Sequence, residues 1–240
     1  MKIVLIRHAE PDYEHNTLTE KGFLEAKALG ECYSAKDFDY IYSSSLPRAR
    51  MTAEAVIKGE KPIIVKDEFV EFHHPLTIDE KGTKWNNWDL MPSFIEKNKD
   101  ELFDLDNYLD GPIMQTAEMK KYHDIVINEF DSILAGIGYV REGLNYKVTR
   151  PNNETLVIFA HHGLNSVLMA HLIQVPYWLV AQYFCALTSS VTTFVSEERE
   201  DGIAQFRCLG FSDVSHLEHA GLKPSFMARF RETRFSNDRK

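Results

Sequence analysis

The chain reads as an α/β protein, a three-layer αβα sandwich around a mostly parallel sheet, with an antiparallel edge hairpin and a helical insertion over the functional edge. Three observations predict this. The runs Lys2–Ile6 and Thr155–Ala160 are almost continuously apolar, as strands covered on both faces should be. Each leads through a short polar loop into a helical stripe, the unit from which parallel sheets are assembled. Near the end of the chain, Val191–Ser196 and Ile203–Cys208 flank the charged turn Glu197–Gly202, which predicts an antiparallel hairpin at the sheet's edge.

Taken in order, the first strand ends at Arg7-His8. Thr17-Leu18-Thr19-Glu20 then has the form of a capping box, with Thr17 and Glu20 satisfying the orphan amides of a helix start. Leu18, Gly22, Ala26, Leu29 and Tyr33 recur at helical spacing and predict an amphipathic helix on the sheet. Tyr40-Ile41-Tyr42 gives a second strand, Ser43–Ser45 a turn, and Ala49, Thr52, Ala53, Val56 and Ile57 the buried face of a second helix with Arg48 at its N-terminal edge. Pro62–Lys66 reads as a third strand. Residues 67–153 hold Trp85, Trp88 and several phenylalanines without clear periodicity, and read as an inserted cap or lid. Its later part, Gln115 to about Ala135, is predicted helical through Met119, Tyr122, Val126, Phe130 and Ile133. After Thr155–Ala160 come His161-His162-Gly163, then Leu164, Val167, Leu168 and Leu172 on a helix face.

At 240 residues and 44% hydrophobic composition the chain is expected to form one domain spanning 1–240, with the cap included. A formal charge of −9 provides no broad positive field for nucleic acid or an anionic membrane, so neither is an expected partner. Three separated cysteines, Cys32, Cys185 and Cys208, do not form a disulfide framework or a zinc site. They fit a reducing cytoplasm. Charge at Arg7 and Glu10 interrupts the first apolar run, which excludes a secretory signal there, and no run is long enough to span a bilayer. The final hairpin offers an edge for self-pairing, so a homo-oligomer is possible. From Lys223 onward six basic and two acidic residues form a positive tail, read as a solvated terminus.

Arg7, His8, Arg48 and His161 each close or open an element at the kind of sheet edge where ligands bind in α/β folds. An imidazole there can be a nucleophile, and guanidinium groups match the oxygens of a phosphoryl group. The pattern therefore points to phosphoryl chemistry. Metal binding is not expected. His73-His74 and His161-His162 diverge on an extended backbone, no His-Glu-x-x-His pattern occurs, and His216 with His219 lacks a third ligand. His171, on an apolar helix face, reads as a hydrogen-bonded core residue. No Gly-rich nucleotide loop is present, and no cofactor is expected.

Arg7-His8-Ala9-Glu10, Leu18-Thr19-Glu20-Lys21-Gly22, Ser43–Ala49 and the later His161 together resemble the histidine phosphatase superfamily, also called phosphoglycerate-mutase-like. The resemblance covers residues 2–57 and about 155–172, and extends to the 190–217 stretch. It implies that His8 is the phosphorylated nucleophile, that Arg7, Arg48 and His161 complete the phosphate pocket, and that a glutamate between the Arg48 and His161 motifs is the proton donor; in the mechanism expected from this, His161 is cationic. Glu71 is the best positional match and Glu68 the competing acid; His162 rivals His161 in the same way, although neighbouring residues at a strand end point in opposite directions.

Ala9 and His162 stand where many members carry glycine, Pro11 replaces a small hydroxyl residue of the glycolytic mutases, and Asn16 is the nearest asparagine before Leu18. The first two make backbone approach to the phosphate less permissive, and the differences from the mutases at Pro11 and Asn16 favour hydrolysis. The expected activity is a metal-independent phosphomonoester hydrolase acting through a phosphohistidine on a small phosphorylated metabolite. A phosphomutase is the alternative reading, and a non-catalytic phosphate-binding protein the third.

Overall fold

The computed structural model describes residues 1–225, so that nearly all of the basic tail lies outside the described residues. Along the chain, β1 (Lys2–Arg7) leads through a small hairpin, β2 (Pro11–Asp12) and β3 (Thr17–Leu18), into α1 (Glu20–Cys32). Next come β4 (Tyr40–Ser44), α2 (Pro47–Ile57) and β5 (Ile64–Lys66). The following stretch holds the short hairpin β6 (Leu76–Thr77) and β7 (Lys84–Trp85), three short helices, α3 (Pro92–Lys97), α4 (Lys99–Leu102) and α5 (Pro112–Gln115), and the long α6 (Met119–Ile137). A hairpin of β8 (Tyr139–Glu142) and β9 (Asn145–Val148) precedes β10 (Thr155–Ala160), α7 (His162–Ile173), α8 (Tyr177–Tyr183), β11 (Val191–Glu200), β12 (Ile203–Asp213) and α9 (Ser215–His219).

Eight strands form one mixed sheet in the order β5-β4-β10-β1-β11-β12-β9-β8. The first four run parallel and the remaining pairs antiparallel. Alternate side chains of the central strands enter two different cores, as the two-residue period of a strand requires. Ile3 and Leu5 of β1, with Leu156 and Ile158 of β10, pack against α6, α7 and the 69–114 segment. Val4, Ile6, Val157 and Phe159 pack against Leu29, Ala53, Val56 and Ile57 of α1 and α2. Both faces are covered, and so these strands read as unbroken apolar runs.

The helix faces follow the sequence pattern closely. All five residues expected on the inner face of α2 are buried, and Pro47, with its fixed φ, occupies the first turn of that helix beside Arg48. The start of α1 differs from the expected capping box. Thr17 pairs with Asp12 in the β2–β3 ladder, so the helix begins later, with Thr19 as its cap accepting from Gly22 N at 2.9 Å. The antiparallel side is also wider than one hairpin: β9 pairs with the start of β12 and β8 lies outermost. Within 67–153, the 139–148 stretch thus extends the main sheet instead of covering it. Gly138 makes that turn possible. Its φ of +113° ends α6, and a Cβ there would lie 2.7 Å from Arg150.

Candidate active site

Sheet register brings the key residues together. Arg7 of β1 lies opposite Ala160 of β10, and Phe159 of β10 opposite Ser43 of β4. His8 and His161, each the residue after its strand, therefore leave the same carboxyl edge side by side, with Ser44, the last residue of β4, level with the strand ends Arg7 and Ala160. His8 is anchored on both sides, its N–H donating to Ala160 O at 2.9 Å and its carbonyl accepting from Ser189 N at 3.1 Å.

His8 is fully buried. Its Nδ1 lies 2.7 Å from the Ala9 carbonyl oxygen, and since a carbonyl can only accept, Nδ1 carries the proton and Nε2 the lone pair. Nε2 has no hydrogen-bond partner among the described residues. Burial, reinforced by the Arg7 and Arg48 charges, holds the His8 pKa well below its ordinary value. The ring is a neutral imidazole with one free nitrogen, the form a nucleophile needs.

Arg7 is buried with one guanidinium nitrogen donating to Ala186 O at 2.6 Å. Burial lowers its pKa, with Glu71 acting in the opposite sense; the group remains cationic at neutral pH. Arg48, in the first turn of α2, places its guanidinium carbon 5.4 Å from the Tyr13 ring centroid. Nε of both arginines is buried without a partner among the described residues. Thr52, one helical turn beyond Arg48, ties these parts together by accepting from Ala9 N at 3.0 Å and donating to Arg48 O at 2.8 Å. Thr52 was visible in the sequence only as part of an apolar face, where a hydroxyl among aliphatic residues is the signal that it has a partner.

His161 is fully buried, with its ring centroid 5.1 Å from that of His8 and its Nε2 2.8 Å from Ser44 Oγ. These surroundings work against the expected cationic imidazole: burial first, then His8, Arg48 and Arg7, push its pKa well down. His162 turns away. Its Nε2 donates to Ala181 O of α8 at 3.1 Å, and burial lowers its pKa to about 4.

Glu71 follows β5 and reaches across to the start of α7. One carboxylate oxygen accepts from Gly163 N at 2.8 Å and from Phe72 N at 3.1 Å. The approach requires glycine, because a Cβ at residue 163 would stand 2.8 Å from that oxygen and 2.7 Å from the Trp88 ring. Burial raises the Glu71 pKa, while Arg7, Arg48 and the helix amides pull it back. One oxygen or nitrogen from each of His8, Glu71 and His161 falls within 4.8 Å of the others. Glu68 is not in this group and lies beside Lys66.

A trio of that kind could in principle ligate a cation. Burial is the first cause lowering both histidine pKa values, and the Arg7 and Arg48 charges that add to it also repel a metal ion and attract an anion. The other histidines stand apart. His73 contacts Asn86, and His74 stacks on Tyr122 at 4.0 Å. His216 pairs with Ser189 Oγ at 2.9 Å, whereas His219 donates to its own helix at Ser215 O. His171 pairs with Asp131. Asn16 occupies an exposed left-handed turn between β2 and β3. Among the described residues no helix is long and apolar enough to cross a membrane.

Comparison with known proteins places this geometry. The family described as histidine phosphatase superfamily (branch 1) matches residues 3–88, which contain His8, Arg48 and Glu71. Phosphoserine phosphatase 1 of Hydrogenobacter thermophilus is 24% identical over 171 residues, which are 67% of this chain and 71% of that protein. The fold is shared with phosphoserine phosphatase of Entamoeba histolytica, solved with 3-phosphoglyceric acid, at a TM-score of 0.58 and 18% identity over 90% of this chain and 98% of that one. It is shared also with the alpha-ribazole phosphatase of Shigella flexneri, at a TM-score of 0.54 and 18% identity over 89% and 97%. Residues 3–88, which supply His8, Arg48 and Glu71, thus match the histidine phosphatase superfamily (branch 1), and the chain as a whole shares its fold with the phosphatases compared above.

Proposed function

We propose that the protein is a metal-independent phosphomonoester hydrolase that works through a phosphohistidine at His8 and acts on a small organic phosphate. The observation that carries this reading is the locked His8 imidazole, whose proton is held on Nδ1 by Ala9 O and whose bare Nε2 lies in a cluster with Glu71 and His161. In the first step Nε2 forms a bond to phosphorus in line with the ester oxygen, and the P–O bond breaks. Arg7 and Arg48 stabilise the charge on the three equatorial oxygens with dipoles already in place. The departing alkoxide takes the proton of Glu71, whose pKa burial raises. In the second step the Glu71 carboxylate accepts a proton from water as its oxygen attacks phosphorus. The N–P bond breaks, releasing inorganic phosphate and restoring neutral His8.

A small substrate is supported by the cover over the site, where Trp88 packs edge-on against His162 at 5.6 Å and near His73 at 5.5 Å. It is supported also by the named activities of the similar proteins, phosphatases of phosphoserine, alpha-ribazole phosphate and glucosyl-3-phosphoglycerate. The test is phosphate release from p-nitrophenyl phosphate in excess chelator by the native chain and by His8→Ala. Activity that survives chelator and disappears in the variant is the expected result; activity restored only by added metal, or retained by His8→Ala, contradicts the scheme.

A further inference from the structure

Ser44 is the last residue of β4 and is fully buried. Its Oγ accepts from Leu46 N at 3.2 Å and lies 2.8 Å from His161 Nε2. A hydroxyl has one proton to give, and a buried hydroxyl proton is rarely left without an acceptor. Among the described residues, His161 Nε2 is the acceptor that Ser44 Oγ reaches. If Nε2 itself carried a proton, the two lone pairs of Ser44 Oγ would accept from Leu46 N–H and from the imidazole, and the Ser44 proton would go unmatched. With Ser44 donating, every group in the chain from Leu46 N–H through Ser44 to the imidazole is satisfied.

We infer that Ser44 is a positioning residue which fixes His161 as the Nδ1–H tautomer, so that a neutral imidazole donates a hydrogen bond to the transferring phosphoryl group. The inference rests on the phosphatase reading above. His161 Nδ1 is the ring's other nitrogen, buried and without a partner among the described residues. The oxygens of a phosphoryl group on His8 are acceptors only, so an Nδ1–H stabilises them and an Nδ1 lone pair repels them. The tautomer therefore decides whether His161 helps or hinders.

Protonation of the ring would also supply a donor, but the groups facing it oppose that. Arg7 and His8 from β1, Arg48 from α2 and the enclosing sheet edge all disfavour a further positive charge, and Glu71 is the one acid in the cluster. A neutral donor avoids the conflict. It also explains why a serine, with its single transferable proton, stands at the end of a strand whose preceding residues point into the cores.

Nitrogen-15 spectra of the full chain labelled at histidine, at neutral pH, read the tautomer directly. The expected result is a protonated Nδ1 and a bare Nε2 for His161; a proton on Nε2, or on both nitrogens, overturns the inference without any variant. In Ser44→Ala the expected result is a mixed tautomer with kcat down about tenfold and KM nearly unchanged, short of the roughly 10²–10³-fold cost of deleting a donor outright. An unchanged tautomer with unchanged kcat in that variant also overturns it. The two claims separate: turnover by a protein with Nε2–H refutes the tautomer alone, whereas a native chain that hydrolyses no monophosphate refutes the reading beneath it.

Discussion

Replacing Gly163 by alanine tests how Glu71 is held. The added methyl carbon would stand 2.7 Å from Trp88 Cζ3, 2.8 Å from Glu71 Oε1 and 3.0 Å from Phe72 O. None of the three yields freely. Phe72 O is backbone, Trp88 is fixed between the His73 and His162 rings, and Glu71 Oε1 is bound to the amide of the mutated residue itself. Ordinary contact distances demand that the 71–72 segment or the first turn of α7 retreat by most of an ångström. Overpacking of this kind costs about 1–3 kcal/mol, or roughly 2–12 °C in Tm for a chain of this size. A displacement of about 1 Å at a catalytic group lowers kcat by about 10²-fold. Thermal melts and steady-state kinetics on an alkyl phosphate, whose leaving group needs a proton, measure both. A variant with Tm and kcat within about twofold of native behaviour would show that the Gly163 amide does not position Glu71.

Glu71→Gln should lower kcat/KM, which reports the step that expels the leaving group, by about 10²–10⁴-fold on alkyl phosphates but much less on p-nitrophenyl phosphate, whose phenolate leaves without a proton; equal losses of kcat/KM on both would remove Glu71 as the acid. Thr52→Val leaves Ala9 N without its acceptor and should cost about 1–3 kcal/mol in chemical denaturation, with reduced kcat/KM because Arg48 and the His8 loop lose their common tie; retained stability and kinetics would refute this. Burial holds His123, His162 and His216 at about 4. Their folded pKa values lie below the unfolded value of about 6.5, so their contribution is present above pH 6.5 and lost as pH falls toward 4. Three protons give a maximum slope of about 4 kcal/mol per pH unit. Glu25 and Glu71, raised by burial, act in the opposite sense, being favourable below their unfolded pKa and less so as pH rises through the folded one. Urea melts from pH 7 to 4 should therefore show falling stability, and a flat profile would contradict the assignment.

The sheet and the cluster of basic residues at its carboxyl edge were legible because they depend on local pattern. Unbroken apolar runs marked β1 and β10, and Arg7, His8, Arg48 and His161 fall at element ends that the register then brings together. What the sequence concealed depends on contact between distant segments. The β8–β9 hairpin is only eight paired residues around a two-residue turn and carries little periodicity. The preference for Glu71 over Glu68 was positional, whereas in the fold Glu71 reaches an amide of α7 and Glu68 lies beside Lys66. Thr17 gave a plausible cap until the β2–β3 ladder claimed it. The surroundings that bear on the charge of His161 are likewise hidden in the sequence, since burial and two neighbouring guanidiniums are tertiary facts.

The central claim is that phosphate passes through His8. Rapid acid-free quenching of the native chain with a phosphorus-32-labelled monoester, followed by peptide mapping, tests it most directly. A base-stable, acid-labile label on the peptide containing His8, formed before phosphate is released and absent from His8→Ala, is the predicted result. Full turnover with no labelled intermediate, or a label on another residue, contradicts it.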